Sequence, residues 1–295
     1  MKKNNKDDKK IGNIINDVIK DIEKASKTKG TVTGITSGFR ELDYKTQGFQ
    51  NGELTVIAAR PSMGKTAFVL NMLQHMTFQR DYKALIFSLE MSKELMTKRL
   101  LSLESAVEVA KIRTGDLKDD HWGRIIDAVV VIEKSELIID DTTFGQIEEV
   151  KNRFHKYKEE GEIDIIFIDS LQLMSDNGQS NSRLQEMSEV SRMLKSLARE
   201  LDIPIVVLSQ LGREVERRPD KRPMLIDLGD AGGAIGEYAD VVIFIYRDYY
   251  YNMNEDDGIA EIVVAKNRNG SIGMIKLAWI SPYLKFRNMA PKHIG

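Results

Sequence analysis

Leu54-Thr-Val-Ile-Ala-Ala-Arg-Pro-Ser-Met-Gly-Lys-Thr66 reads as an apolar strand that runs straight into a glycine-containing loop, and Ala67-Phe-Val-Leu-Asn-Met-Leu-Gln74 continues as a helix. Gly64-Lys65-Thr66 matches the end of the phosphate-binding loop pattern. There, backbone N–H groups cradle phosphates, the Lys reaches the outer phosphates and the hydroxyl holds Mg²⁺. The positive end of the following helix dipole adds to the attraction for anions. Ala59, Arg60, Pro61, Ser62, Met63, Gly64, Lys65 and Thr66 are therefore the candidate nucleotide-binding residues, with Thr66 also a candidate metal ligand. The pattern asks for Gly six residues before the Lys, where this chain has Ala59, the smallest replacement. The plainer alternative is an ordinary strand-turn-helix carrying a chance Gly-Lys-Thr.

From Leu54 onward, short β-branched runs alternate with helical stretches. Strands are expected near 54–59, 84–89, 137–141, 163–169, 204–209 and 241–246, and helices near 65–78, 92–104, 119–133, 144–159 and 183–201. Such alternation predicts an α/β fold with a mostly parallel twisted sheet and helices on both faces. Ligands collect at the carboxyl ends of the strands in that architecture, so the residue closing each run matters most. Ile163-Asp-Ile-Ile-Phe-Ile-Asp169 ends in a carboxylate, the context of an acidic Mg²⁺ ligand opposite the loop hydroxyl, or of a simple turn cap. Glu90 closes Ala84-Leu-Ile-Phe-Ser-Leu-Glu90, where it is either a base for an attacking water or a surface residue ahead of a helix. Gln210 closes Pro204-Ile-Val-Val-Leu-Ser-Gln210 and either senses a γ-phosphate or satisfies loop backbone.

At 295 residues the chain suits one sizeable α/β core plus an appendage. Its 43 Lys and Arg against 45 Asp and Glu exclude a globally basic nucleic-acid footprint, leaving only local patches. The absence of Cys excludes disulfides and thiolate metal sites. His75, His121, His155 and His293 lack ligand spacing. No apolar run reaches bilayer-spanning length, and the charged start at 1–10 has no signal-peptide core, so no membrane association and a cytoplasmic location are expected.

That start is expected to be disordered. Behind it, Ile11, Ile14, Ile15, Val18, Ile19 and Ile22 fall on one helical face, cut off by the Gly/Thr/Ser-rich connector that ends at Gly38. Such a tethered amphipathic helix docks either on its own domain or on a neighbouring copy, exchanging one helix per subunit. This gives a division into 1–10, a linker helix and connector at 11–38, and a core at 39–295. Near the end, two strand patterns flank Arg268-Asn-Gly-Ser271, and Asn269-Gly270 predicts a C-terminal β-hairpin with a tight turn.

Seven separated stretches carry a resemblance. Ala59-Arg-Pro-Ser-Met-Gly-Lys-Thr66, Phe87-Ser-Leu-Glu-Met-Ser92, Ile168-Asp-Ser-Leu-Gln-Leu173, Leu208-Ser-Gln-Leu211, Asp220-Lys-Arg-Pro223, Tyr246-Arg-Asp248 and Lys266-Asn-Arg-Asn-Gly270 resemble, in matching order, the motor domain of DnaB-type replicative DNA helicases. The resemblance covers about residues 11 to 288. It implies a RecA-like core, a homohexameric ring, and 5′ to 3′ movement on single-stranded DNA driven by ATP with Mg²⁺. It also implies that the helix at 11–26 is a linker that packs on the adjacent subunit, and that Lys266 and Arg268 reach the ATP held by that neighbour. Primase and a helicase loader are further implied partners, except where they need the helical domain that precedes the linker in relatives and is absent here. An excised motor or a naturally short form is the expectation.

For DNA, the loops at 175–183 and 227–236 are the candidates, with Arg183, Gly229, Asp230 and Gly232 as possible contacts. Relatives usually carry Arg-Glu-Ser-Gly where this chain has Gly229-Asp-Ala-Gly232, and one residue is inserted before Glu237. Losing that Arg predicts weaker, less salt-sensitive binding. The cluster Arg213, Arg217, Arg218, Lys221 and Arg222 is diluted by Glu214, Glu216 and Asp220 and reads as a solvated loop. Competing readings are a RecA-like DNA-dependent ATPase of recombinase or clock type, and a nucleotide-gated assembly protein.

Overall fold

The computed structural model describes residues 11–27, 32–143, 147–161, 163–174, 183–228, 235–253 and 258–290. The helix α1 (Ile11–Lys27) forms a unit of its own, and all six of its predicted aliphatic positions, Ile11 to Ile22, are exposed. The compact body begins at Gly34. It comprises α2 (Arg40–Thr46), β1 (Leu54–Ala59), α3 (Lys65–Leu73), β2 (Ala84–Ser88), α4 (Lys93–Ser105), α5 (Val109–Thr114), α6 (Asp119–Glu133), β3 (Leu137–Asp140), α7 (Ile147–Gly161), β4 (Ile165–Asp169), α8 (Arg183–Leu201), β5 (Ile205–Gln210), β6 (Val241–Tyr246), β7 (Ile259–Asn267), β8 (Gly273–Ile280) and β9 (Lys285–Asn288). No helix among the described residues is long and apolar enough to cross a membrane.

One nine-stranded sheet runs in the order β3-β2-β4-β5-β1-β6-β7-β8-β9. The first six strands pair in parallel and the last three antiparallel, as the alternation and the hairpin pattern predicted. β1, β2, β4 and β6 are buried on both faces, which is why they read as unbroken apolar runs rather than as an alternation. The pleat sends Ile57, Ile86 and Phe167 into a core under α3, α4 and the antiparallel strands. It sends Val56, Phe87 and Ile168 into a second core under α7 and α8. On α8, Met187, Val190, Leu194 and Leu197 keep a helical period and are all buried. On α7, Phe154 stacks on Phe87 at 5.1 Å between centroids.

Two elements differ from expectation. The helix after the loop is α-helical only to Leu73 and then widens into a π-helical turn over Gln74–Phe78. The C-terminal hairpin does not close through a two-residue Asn269-Gly270 turn, because β8 begins to pair with β7 at Val264–Gly273. The last residues of β7 pair with β6 instead, past an irregularity at Val242/Ile243. The tip is folded against the body. Asn267 Nδ2 donates to the Lys45 carbonyl at 3.0 Å, and a Cβ on Gly270 would lie 2.4 Å from that same oxygen. Glycine is required there by close approach rather than by turn type.

Candidate active site

The strand order decides the site. β2, β4, β5 and β1 are consecutive neighbours, so their carboxyl ends form one continuous edge. In register, Ser88 faces Asp169, Asp169 faces Leu208, and Ala59 faces Gln210. Glu90, Asp169, Gln210 and the loop after Ala59 thus come from well-separated stretches of the chain to one rim. A cleft of about 450 Å³ opens there, and Ala59, Arg60, Pro61, Ser62, Gly64, Lys65, Thr66, Glu90 and Gln210 all line it.

Ala59 turns out to be the last residue of β1, buried and extended, with its carbonyl accepting from the Leu211 amide at 3.0 Å. The loop proper is Arg60–Gly64, and its curvature is supplied by Ser62 (φ 65) and Gly64 (φ 96). This is why Ala suffices at 59. Gly64 is the N-cap of α3, whose first amides have no partner within the helix and so face the cleft. A Cβ on Gly64 would sit 3.2 Å from the Phe286 ring, and φ is in the left-handed region. Gly64→Ala is therefore expected to destabilise the fold by about 1–2 kcal/mol in chemical denaturation. Unchanged stability would show that the loop relaxes freely, contrary to this packing.

Within the motif the side chains divide. Met63 is buried in the core and only its backbone belongs to the loop. Arg60, though at the cleft, is engaged within the chain: its Nε donates to Glu216 at 2.8 Å and its Nη1 to the Leu211 carbonyl at 2.8 Å. Thr66 Oγ1 donates to Asp169 Oδ2 at 2.7 Å, and Lys65 Nζ stands 3.7 Å from Asp169 Oδ1. Asp169 is fully buried, and Oδ1 has no hydrogen-bond donor among the described residues. A buried carboxylate oxygen with unmet acceptor capacity, beside a hydroxyl, is a donor set of the kind that would hold a hard divalent cation. The Asp169 carbonyl also accepts from the amides of Leu89 (2.6 Å) and Glu90 (3.3 Å), tying the end of β2 to the end of β4. Glu90 itself is exposed to the cleft. The Gln210 backbone is clamped on both sides by the Gln172 amide group, which leaves its own side chain at the rim.

Sequence reasoning missed three groups that line the cleft. Arg99, on α4, is half-buried; burial pushes its guanidinium down while the charges of Asp169 and Glu90 pull it up. Its only local signal is a cation next to the buried positions Met96 and Leu100. Trp279 and Leu284 reach the cleft from β8 and the turn after it. The Arg247 guanidinium lies over the Trp279 ring at 4.8 Å.

Lys266 and Arg268 do not line this cleft. Asn267 is level with Val241 and hence with Thr55, at the amino end of β1, whereas the loop follows its carboxyl end. The two cations therefore occupy the opposite edge of the sheet from the loop. Two cations of the basic loop, which the sequence read as solvated, are instead tied to the body: Arg218 forks onto Asp227 (2.7 Å twice) and Arg222 onto Glu261 (2.7 and 3.0 Å). Of the DNA candidates, Gly229, Asp230 and Gly232 lie outside the described residues, as does 175–182. Arg183 opens α8, but its side chain is outside the description.

With the loop, the four-strand edge and the hairpin in place, the similarity to known proteins is specific. Residues 34–288 match the DnaB-like helicase C terminal domain. The chain belongs to that family. This DnaB-like domain is 42% identical over 291 residues to the replicative DNA helicase DnaC of Bacillus subtilis (strain 168), covering 98% of this chain and 64% of the relative. It is 43% identical over 283 residues to the replicative DNA helicase DnaB of Geobacillus stearothermophilus, covering 95% and 62%. The DnaB-like domain thus spans less than two thirds of the length of these curated relatives. In solved structures, it superposes on an ATPase domain with a TM-score of 0.88 at 38% identity, covering 96% of this chain and 100% of that one. It also superposes on a DnaB-like replicative helicase, described together with its interactions with primase, with a TM-score of 0.84 at 39% identity, covering 95% and 67%.

Proposed function

We propose that this chain is the ATP-hydrolysing motor of a homohexameric replicative DNA helicase in the cytoplasm, moving 5′ to 3′ on single-stranded DNA and unwinding duplex ahead of it. The observation that carries the reading is the division of cationic chemistry between opposite edges of one sheet. The loop, Thr66, Asp169 and Glu90 stand at the carboxyl end of β1, and Lys266 and Arg268 at its amino end. A subunit so built completes its neighbour's site and not its own, which suits a ring. The exposed aliphatic stripe of α1 is the means of joining subunits, by packing on the adjacent copy.

In this reading the loop amides and Lys65 bind the phosphates of ATP, and Thr66 with Asp169 would hold Mg²⁺, which neutralises charge on the transferred phosphoryl group. Glu90 accepts the proton of the attacking water and is neutralised by it, and Arg99 offsets the carboxylate charge of Asp169 and Glu90 before the transfer. Gln210 reports the γ-phosphate to β5. Arg268, with Lys266, stabilises the transition state in the neighbouring subunit. The DNA contacts fall to the loops around 175–183 and 227–236. Primase and a loader are the further partners, through surfaces of this motor.

The test is unwinding of forked duplexes with ATP, comparing forks that carry a 5′ or a 3′ single-stranded tail. Strand separation should require the 5′ tail, and single-stranded DNA should stimulate ATP hydrolysis. Unwinding that needs the 3′ tail, or hydrolysis indifferent to DNA, sinks the proposal in favour of an ATPase that does not translocate.

A further inference from the structure

The hairpin cations do not stand free in this subunit. Lys266 Nζ donates to the carbonyls of Gly236 (2.8 Å) and Glu237 (3.1 Å), and Arg268 Nη2 donates to the Glu237 carbonyl at 3.0 Å. Residues 235–238 form a single helical turn, whose terminal carbonyls have no partner within it. The two cations satisfy them from another part of the chain, as basic side chains do at helix ends.

Behind them lies a buried carboxylate. Asp240 Oδ2 accepts from Lys195 Nζ at 2.6 Å and from the Leu54 amide at 2.8 Å, and Lys195 also donates to the Gly52 carbonyl at 2.7 Å. Both contacts on Asp240 fall on one oxygen. The other, Oδ1, faces Arg268 Nη1 at 3.8 Å, while the Asp240 carbonyl accepts the Arg268 amide at 3.0 Å. The carboxylate is thus fixed from two elements, α8 and β1, with its second oxygen turned to a single guanidinium. That guanidinium has donors to spare, and half of its side chain remains exposed. Lys266 shares the anchor, and its ammonium is pushed down first by burial and then by the like charge of Arg268.

We infer that Asp240, held by Lys195, is a positioning residue for Arg268: with the Glu237 carbonyl it fixes the inner edge of the guanidinium, so that the exposed edge is presented to the adjoining subunit. An untethered arginine must give up rotamer freedom on reaching a ligand, and one already held at its inner edge gives up less. This inference rests on the trans role proposed for Arg268.

The experiment is steady-state ATP hydrolysis by the whole chain with single-stranded DNA. Asp240→Asn keeps an acceptor for the Leu54 amide and removes the charge. It is expected to lower kcat about 10- to 100-fold, the scale of a misplaced catalytic group, with the KM for ATP little changed. In an Arg268→Lys background the same substitution should cost less than about twofold, because the guanidinium it positions is gone. An equal cost in both backgrounds, or a full kcat in Asp240→Asn, overturns the inference. Arg268→Lys at the full rate overturns the trans reading beneath it. If Asp240→Asn does not fold, Lys195→Met should show the kcat loss and Lys195→Arg should restore the rate, and a full rate in Lys195→Met is the contrary result.

Discussion

Arg268→Ala is expected to lower the kcat of DNA-stimulated ATP hydrolysis by about 10³-fold or more while leaving ATP binding intact, because a trans arginine supplies about 10³ to 10⁵ in rate by stabilising transition-state charge. The two halves of that expectation follow from position. Arg268 lies at the amino edge of the sheet and lines no part of its own cleft, so binding to the loop, Lys65 and Thr66 is untouched. Its side chain is half exposed, and with one hydrogen bond to the Glu237 carbonyl and an ion pair to Asp240 its guanidinium keeps donors that a second molecule could take. The measurement pairs titration of a fluorescent ATP analogue with single-turnover hydrolysis. A variant that binds and hydrolyses ATP normally shows that the hairpin is a structural brace and that the site is complete within one subunit.

Lys65→Ala should all but remove nucleotide-dependent activity through the opposite route, weakened binding in cis. Lys65 opens α3 at the mouth of the loop, with its side chain only 11% exposed and directed at the Asp169 carboxylate at 3.7 Å. A charge-assisted contact to phosphate contributes about 1.5–3 kcal/mol, so affinity falls about 10- to 150-fold. The turnover that remains loses a cation beside the developing charge as well. The fold should persist, because Thr66 still satisfies Asp169 Oδ2. Equilibrium binding of ATP and the melting profile of the apo protein check both parts. ATP affinity within twofold of the parent chain would mean that phosphates are not seated on this loop.

The contrast between these variants explains which parts of the site were legible in the sequence. Asp169, Glu90 and Gln210 each close an apolar run, and closing residues of parallel strands share an edge whatever the strand order. Arg99 and Trp279 reach the cleft from α4 and β8, where nothing local marks them apart from surface or core positions. Arg60 and Met63 sit inside the motif, yet one is paired with Glu216 and the other is core, because backbone curvature at Ser62 and Gly64 decides which side chains turn outward. The hairpin was legible as two strands. Its tip was not, since Gly270 and Asn267 answer to the Lys45 carbonyl, more than two hundred residues away in the chain.

Sequence alone determined the kinds of element and their order: β-branched runs buried on both faces have no other stable home than a covered parallel sheet, and a strand, a glycine loop and a helix in succession make an anion site by backbone geometry. Only the tertiary structure decided which strands adjoin. The order β2-β4-β5-β1 brings Glu90, Asp169 and Gln210 beside the loop, and the pairing of β7 with β6 puts Lys266 and Arg268 at the far edge, against Asp240. Strand neighbours are chosen by burial across the whole sheet, a long-range balance that no local period records.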